Sequence, residues 1–315
     1  MNDPLPYILT IAQAALLLLL APFMVGWVRL VKARLQNRRG AGPLQPYRDI
    51  RKLFAKEAVV AENASWIFRF TPYLVFGVTV LAGAIVPILA VDLPLAPVAD
   101  VIALVAIFAL ARFFVALAGL DIGTAFGGMG SSREMTIASL AEPAMLMAIF
   151  AASLITQSTS LSTMVAEIHK GVLLKPSFAF ALLAFVLIAL AENGRIPVDN
   201  PATHLELTMI HEAMILEYSG RHLAMIEWAG MMKLMLFSLL GIALFAPWGI
   251  AGTPGAGSVA LAFGVMAAKL LLVATGLPVL EMGLAKLRLF RVSEFLGVAF
   301  LLATLAILSH FILER

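Results

Sequence analysis

Eight long apolar runs constrain this chain more than any other feature of its sequence. Each is close to the ~20 residues that a helix needs to cross the hydrocarbon core of a bilayer. Hydrophobic residues make up 62% of the chain and charged residues 13%, whereas soluble domains average about 45–50% and about 25%. We therefore predict an all-α integral membrane protein built as a bundle of eight transmembrane helices. The predicted spans are residues 5–28, 70–91, 98–119, 136–157, 174–192, 222–248, 257–280 and 293–312.

The sequence shows no internal repeat and no long linker, so residues 1–315 are expected to form a single polytopic membrane domain. The chain contains no cysteine, which excludes disulfides, thiolate zinc sites and cysteine-ligated iron–sulfur clusters. We therefore expect no metal and no cofactor in this chain. If the protein takes part in redox chemistry, another protein carries the electrons.

The loops on the two sides of the predicted bundle differ sharply in charge. On one side they hold 16 lysines and arginines, ten of them between the first and second spans, and on the other side only three. Cytoplasmic loops carry the excess of basic residues. The N-terminus is therefore predicted to lie outside, and the loops at 32–69 and 193–221 inside.

The second of these loops is unusually acidic for a membrane protein. It reads "AENGRIPVDNPATHLELTMIHEAMILEYSG" over residues 191–220, and its Asn-Pro pair predicts a helix from 201 to 217. On that helix the two histidines share one face with Glu212 beside it, and Glu206 and Glu217 lie almost opposite. Three interpretations stay open: a solvated helix on the membrane surface, a metal site, and a proton path. The metal site is disfavoured because "HE" is not followed by a histidine four residues on.

Ionisable residues also lie inside the predicted spans. Glu142, Glu192 and Glu227 are carboxylates at membrane depth, where such groups are costly and usually mark ion pathways. An alternative for Glu192 and Glu227 is an acid at the end of a span that reaches water. Lys233 and Lys269 lie mid-span, about 15 Å of helix from either interface. We expect both lysines to pair with buried carboxylates.

The third span and the loop after it carry two further signals. Arg112 either extends to the inner membrane surface or lies within the bundle, and the sequence favours neither. The glycine-rich segment 123–134, "GTAFGGMGSSRE", is predicted to be a flexible turn. It is flanked by a span rather than by a strand and a helix, so it carries no nucleotide-binding fingerprint.

The first cytoplasmic loop contains an amphipathic segment. Residues 47–57, "YRDIRKLFAKE", alternate apolar and basic side chains at helical spacing, which predicts a helix lying on the membrane surface. Two roles stay open for this helix. It could bind anionic lipid, or it could form a docking platform for a soluble partner.

Two segments of the sequence resemble a known family. "RLQNRRGAGPLQPYRDIRKLFAKE" and "AENGRIPVDNP…LELT…EYSG", in that order, are similar to the family of the H subunits of respiratory complex I, which includes the membrane subunits of group 4 NiFe hydrogenases. The resemblance covers essentially the whole chain, and the second segment is most similar to the hydrogenase-4 component C and formate hydrogenlyase branch. It implies eight tilted transmembrane helices sealed against peripheral redox subunits.

The resemblance also implies a function and partners. The chain would lie in the bacterial cytoplasmic membrane and would not be catalytic alone. It would anchor hydrogenase-like large and small subunits with iron–sulfur proteins and link them to antiporter-like, proton-translocating membrane subunits. A NiFe centre and iron–sulfur clusters would be held by those partners. The resemblance, together with the acids and histidines described above, assigns a group of residues to a proton path. They are Glu142, Glu192, Asp199, His204, Glu206, His211, Glu212, Glu217, Glu227, Lys233 and Lys269. The residues assigned to partner docking are Arg38, Arg39, Tyr47, Asp49, Lys52, Glu57 and Arg195.

Three departures from complex I sequences bear on the electron acceptor. The first loop is contracted between "RRG" and "GPLQP", His204 replaces an acid, and the spacing from Glu206 to Glu217 is longer. Each weakens a quinone-site interpretation and agrees with the hydrogenase branch. The alternatives are an NADH–quinone oxidoreductase membrane subunit that contributes to a quinone site, and a stand-alone ion transporter. A transporter would favour inverted repeats.

Overall fold

In a computed structural model of the chain, the structure describes residues 5–87, 94, 100–169, 175–199, 209–249, 256–285, 287 and 289–313. Helices lie at all eight predicted spans within these ranges. In chain order the helices are α1 Leu5–Leu35, α2 Gln45–Phe54, α3 Trp66–Ile85, α4 Val101–Asp121, α5 Ala125–Thr156, α6 Leu161–His169, α7 Pro176–Glu192, α8 His211–Ile215, α9 Gly220–Phe245, α10 Ala256–Gly283 and α11 Leu289–Leu313.

The predicted fold class is confirmed, and the span count is close to the prediction. Seven of the described helices, α1, α3, α4, α5, α9, α10 and α11, are long and apolar enough to cross a membrane. The eighth, α7, is apolar but has only 17 residues. Such helices satisfy their own backbone hydrogen bonds, as a hydrocarbon environment requires.

α7 ends where its sequence supplies a helix-stopping turn. Gly194 adopts a left-handed conformation with φ 55°. The amide of Gly194 donates to the carbonyl of Ala191, and the amide of Arg195 donates to the carbonyl of Leu190. This pair of bonds is the Schellman motif that closes a helix. Residues 193–199 therefore leave the helix as an irregular turn directly after Glu192.

The prediction that residues 123–134 form a flexible turn is wrong, because α5 begins at Ala125. The Thr124 hydroxyl caps the helix by accepting the amide of Gly127 at 3.2 Å. The glycines let α4 and α5 approach closely: a Cβ added to Gly127 would lie 2.2 Å from the carbonyl oxygen of Gly119. Small residues at helix contacts are the usual means of close packing in membranes.

α9 is the most buried of the seven long apolar helices, and its side chains contact α1, α3, α4 and α7. Phe237 packs on Phe108 with ring centroids 5.0 Å apart, and Phe245 packs on Phe178 at the same separation. The short helix α2 lies against α1 and α9, with Ile50 buried and the Phe54 ring against that of Trp228 at 6.2 Å. A helix is therefore present in the first loop over Gln45–Phe54 rather than 47–57, and its position on the membrane surface stays a prediction.

The connections predicted to be cytoplasmic are those after α1, α4, α7 and α10. Their described parts contact one another at one end of the bundle. Ser219 and Val59 exchange two hydrogen bonds of 2.8 Å through the Ser219 hydroxyl. The Asn63 amide group donates to the carbonyl of Ile122 at 2.6 Å, and the amide of Leu287 donates to the carbonyl of Pro197 at 3.0 Å. Gly220 is required here, because its φ is 52° and a Cβ would lie 2.4 Å from the carbonyl oxygen of Glu57.

We predict that this end of the bundle faces the cytoplasm. Single cysteines replacing Ala41 or Leu216, both exposed, should resist an impermeant thiol reagent added to sealed cells, because the basic residues near them oppose translocation. Leu216 is preferred to Gly194, where positive φ would strain any side chain. A cysteine replacing exposed Thr163, beyond the opposite end of α5, is the positive control. Ready labelling at position 41 or 216 would refute this orientation.

Candidate functional site

A buried arginine joins three carboxylates inside the bundle. The Arg112 side chain is 5% exposed, and it lies near the middle of α4. Its Nε lies 3.3 Å from the carboxylate of Glu134, one terminal nitrogen lies 3.3 Å from Glu142, and the other pairs with Glu192. Of the two placements that the sequence leaves open for Arg112, the structure has the one within the bundle.

Lys233 completes this group from the central helix. Its Nζ donates to the carboxylate of Glu192 at 3.2 Å, which confirms the expected pairing of this lysine with a buried acid. Lys233 lies 13 residues after Gly220 and 12 before Phe245, so about 18 Å of helix separates it from the nearer end. We call Arg112, Glu134, Glu142, Glu192 and Lys233 the Arg112 cluster.

The Arg112 cluster has more carboxylates than cations, and its carboxylates differ in their exposure to solvent. With all five groups ionised, three carboxylates face two cations. Among the described residues, the Glu192 side chain is 4% exposed and pairs with two cations, whereas the Glu142 side chain is 36% exposed and pairs with Arg112. A narrow cavity of about 10 Å³ opens beside Arg112, Glu142 and Glu192, which is about the smallest space that holds one water. The cluster can therefore accept one proton without acquiring a net positive charge.

A second acidic group lies nearer the basic end of the bundle. Glu227 of α9 is half-buried and interacts electrostatically with Glu212, Arg29 and Asp49, which belong to α8, α1 and α2. Glu227 precedes Lys233 by six residues on the same helix, a rise of about 9 Å. α9 therefore carries both an acid that interacts with charges of the loop helices and the lysine of the Arg112 cluster.

A third group of charges surrounds Glu281 at the end of α10. Its carboxylate, 1% exposed, accepts a bond from Lys32 at 2.6 Å and pairs with Arg195 at 3.5 Å. Arg195, expected to dock a partner, is therefore held by an internal ion pair. Burial lowers the pKa of the Arg195 guanidinium, and the negative charge of Glu281 offsets part of that effect.

Sequence reasoning missed Glu134 and Glu281. Glu134 fell in the segment expected to be a turn, and Glu281 lay one residue beyond the predicted end of its span. For Glu134 a signal was available: it precedes Glu142 by eight residues, a spacing that puts both on one face of a helix.

Within the described residues, the helix predicted over 201–217 is present only over His211–Ile215. Residues 201–208, with His204 and Glu206, lie outside the described residues. α8 covers only His211–Ile215, and 216–217 form a turn, so the predicted helix does not reach 217. The chain leaves the helix there because Tyr218 is fixed to α3: its ring stacks on that of Phe68 at 3.9 Å, and its hydroxyl donates to the Phe68 carbonyl at 2.9 Å.

The other described acids of that loop and His211 differ in their exposure to solvent. Asp199 is buried, and its carboxylate accepts the backbone amide of His211 at 3.3 Å. The His211 side chain and Glu217 are exposed, and Glu212 is half-buried. Among the residues that the structure describes, no group of three or more His, Cys, Asp or Glu side chains could hold a metal ion.

Contrary to expectation, Lys269 pairs with no carboxylate among the residues that the structure describes. Its Nζ donates to the backbone carbonyls of Ala246, at 2.6 Å, and Trp248, and lies 4.7 Å from the Trp248 ring centroid. α9 ends at Phe245, so carbonyls just beyond it have no helical partner, and an ammonium can satisfy them. Lys269 of α10 therefore contacts the segment just beyond the C-terminal end of α9, whereas Glu227 lies near the N-terminal end of α9.

Some of the residues predicted to dock a partner are exposed, and others are partly buried and held by contacts within the protein. Arg38, Arg39, Lys52 and Glu57 are exposed. Tyr47 and Asp49 are half-buried: the Tyr47 hydroxyl donates to the carbonyl of Leu19, and Asp49 accepts from Gln45 at 2.9 Å. Burial raises the pKa of Tyr47, so it stays a neutral donor. We call exposed Arg38, Arg39, Arg48, Arg51, Lys52 and Lys56 the basic surface.

The whole chain matches a family of membrane subunits. The family model described as NADH dehydrogenase matches residues 8–312. Formate hydrogenlyase subunit 4 of Escherichia coli is 34% identical over 298 residues, which cover 94% of this chain and 96% of that protein. Hydrogenase-4 component C of the same organism is 33% identical, with 95% and 94% covered.

More distant proteins agree with this family and with the fold. The H subunit of NADH-quinone oxidoreductase from Thermomicrobium roseum is 29% identical and covers 76% of each chain. A chain in the structure of the membrane-bound sulfane sulfur reductase, an archaeal respiratory membrane complex, superposes with a TM-score of 0.75 and 19% identity, covering 95% of this chain and 98% of that one. This likeness supports the arrangement of helices.

Proposed function

This chain belongs to the family described as NADH dehydrogenase, and from that premise we propose that it is the energy-coupling membrane subunit of a hydrogenase-type oxidoreductase. It anchors a peripheral redox arm and links it to proton-translocating membrane subunits. It is not catalytic alone. The relatives named for hydrogenase-4 and formate hydrogenlyase support this choice, because they match over nearly the full length of both chains.

The observation that carries the proposal is the Arg112 cluster. Ionisable groups at membrane depth are costly and mark ion pathways when they face a bundle interior. Here three carboxylates share two cations, and Glu192 pairs with both of them. A proton that arrives at Glu142 changes how strongly Arg112 is held by the other two acids. Protonation and the arrangement of α4, α5 and α7 are therefore coupled.

We propose a proton path that runs from the loop helices through the Glu227 group to the Arg112 cluster. Asp49 and Glu212 begin it beside the basic surface, and Glu227 lies between them and Lys233. A charge that changes in a partner above α2 acts first on these acids, because Coulombic interactions are strong where water is scarce. Glu206 and His204 belong to the same path by sequence.

We propose that the basic surface receives the peripheral arm on the cytoplasmic side of a bacterial inner membrane. Six exposed cations within residues 38–56 favour an acidic partner through electrostatic complementarity. The chain has no cysteine, so iron–sulfur clusters are held by that partner, and the NiFe centre by the large subunit beside it. Antiporter-like subunits accompany it within the membrane.

The intact complex is expected to contain nickel and iron and to evolve or oxidise hydrogen. A NiFe centre uses protons as the electron acceptor, so no quinone chamber is needed beneath the last cluster. Metal analysis of the complex after mild detergent extraction, together with a hydrogen assay, measures both properties.

The control for this experiment is a quinone-reduction assay on the same preparation. The relative from Thermomicrobium roseum is named for NADH-quinone oxidoreductase. A nickel-free complex that reduces quinone would therefore contradict the hydrogenase proposal and favour a quinone-reducing role for this chain.

A further inference from the structure

One carboxylate ties together three separate segments of the chain. Glu281, the third residue from the end of α10, is buried between Lys32 of α1 and Arg195 of the turn after α7. A buried carboxylate needs compensating charge, and removing one partner of such a pair is strongly destabilising. The Glu281 carboxylate thus fixes how these segments lie relative to one another.

The turn that Glu281 holds is built around Arg195. Its carbonyl accepts the amide of Val198 at 2.8 Å and that of Asp199 at 3.2 Å, and its own amide closes α7 by donating to Leu190. The backbone of Arg195 therefore organises residues 193–199, and its side chain attaches them to α10. The bond from Leu287 to the Pro197 carbonyl adds a second attachment.

This turn controls the position of an acid in the Arg112 cluster. Glu192 is the last residue of α7, three residues before Arg195, and its carboxylate reaches Arg112 and Lys233 near the middle of their helices. Pro197, Val198 and Asp199 of the turn are buried within the protein. A displaced turn would pull Glu192 away from its two cations.

The charges around Glu281 indicate that ion pairs, rather than nonspecific packing between helices, attach the turn to α1 and α10. Lys32 approaches Glu281 from α1, and Arg195 approaches it from the turn. The positive charge of Arg29 acts on both Arg195 and Glu227. Among the described residues, Glu281 is the carboxylate that pairs with both Lys32 and Arg195. Its loss leaves Arg195 beside other positive charges, which repel the turn.

We propose that Glu281 is a positioning residue for the Arg112 cluster, which fixes the turn at 193–199 against α1 and α10 and so holds Glu192 at Arg112 and Lys233. The role of that cluster in proton transfer rests on the proposed function. The position of Glu192 does not.

The test compares Glu281→Gln with the wild-type intact complex by two measurements. Hydrogen–deuterium exchange of residues 193–199 should become about tenfold faster, the change expected when a hydrogen bond between charged groups is lost. Modification of Glu192 by a hydrophobic carbodiimide, which attacks protonated carboxyl groups, should rise across the pH range. Glu294→Gln removes an exposed carboxylate from α11 and is the matched control, expected to behave as wild type in both.

Arg195→Gln breaks the same attachment from the other side, so it should reproduce both changes if Glu281→Gln fails to assemble. Wild-type exchange in the turn, or faster exchange with wild-type labelling of Glu192, would overturn the assignment of Glu281. If both measurements change as expected while the wild-type complex moves no protons, the proposed function fails and the positioning role stands.

Discussion

Replacing Arg112 by methionine is expected to prevent stable assembly of this membrane subunit. Methionine fills a similar volume but leaves Glu134, Glu142 and Glu192 without the cation that all three approach. Breaking a buried ion pair by removing one partner costs about 3–5 kcal/mol, and here one side chain serves three partners. The measurement is the thermal unfolding midpoint in detergent, together with the amount of intact complex on a native gel.

Two further variants make this result specific to the cluster. Arg69→Met removes an exposed arginine from the first turn of α3 and should change the free energy of unfolding by no more than about 0.5 kcal/mol. The double variant Arg112→Met with Glu134→Gln should recover part of the lost stability, because it removes a largely buried carboxylate that has lost Arg112, while Glu192 keeps its bond from Lys233. A wild-type melting point for Arg112→Met alone would mean that the three acids are not held as anions by this residue.

The sequence predicts the helices well because hydropathy over about 20 residues reports the surrounding lipid directly. It predicts their ends less well, because ends depend on local turns and contacts. α5 extends eleven residues further than expected toward its N-terminus, because Gly119 and Gly127 pack together. Glycine alone weakens a helix, so only the contact with α4 explains why this segment is helical.

A contact of the site was predictable where the free-energy cost of burying an unpaired charge requires it. Lys233 lies too deep to reach water, so a partner was required, and Glu192 is that partner. The same argument failed for Lys269, because backbone carbonyls after Phe245 satisfy an ammonium as well as a carboxylate does. Which acceptor a buried lysine finds depends on the crossing of α9 and α10. That crossing is set by packing between distant segments, which periodicity along the chain does not contain.

The residues that join the elements were the least predictable. Arg112, Glu134 and Glu281 each have a plausible position in a loop or at a membrane interface when the chain is read in one dimension. Their roles emerge only when α4, α5, α7 and α10 are brought together, since each pairs with a residue 22 or more positions away. The charge pattern along the chain therefore does not show which acids and cations of a membrane site meet.

Proton translocation is expected to fall about tenfold or more in Glu142→Gln, with the complex still assembled. Of the three acids in the Arg112 cluster, Glu142 is the most exposed, so it is the best placed to exchange a proton with the small cavity beside it. Glutamine keeps the size and most of the hydrogen bonding of glutamate but cannot carry the proton, and positioned proton transfer contributes about 10²–10⁴ in rate.

The measurement is acidification of sealed vesicles that contain the intact complex, followed by a pH-indicator dye while the redox reaction runs. Glu206→Gln is expected to lower the same signal, since the sequence assigns it to the same path, and Glu294→Gln is the control that should retain it. Loss of assembly in Glu142→Gln would make this acid a structural partner of Arg112. Wild-type acidification in an assembled Glu142→Gln complex would exclude Glu142 from the path, because the glutamine amide at that position cannot exchange the proton.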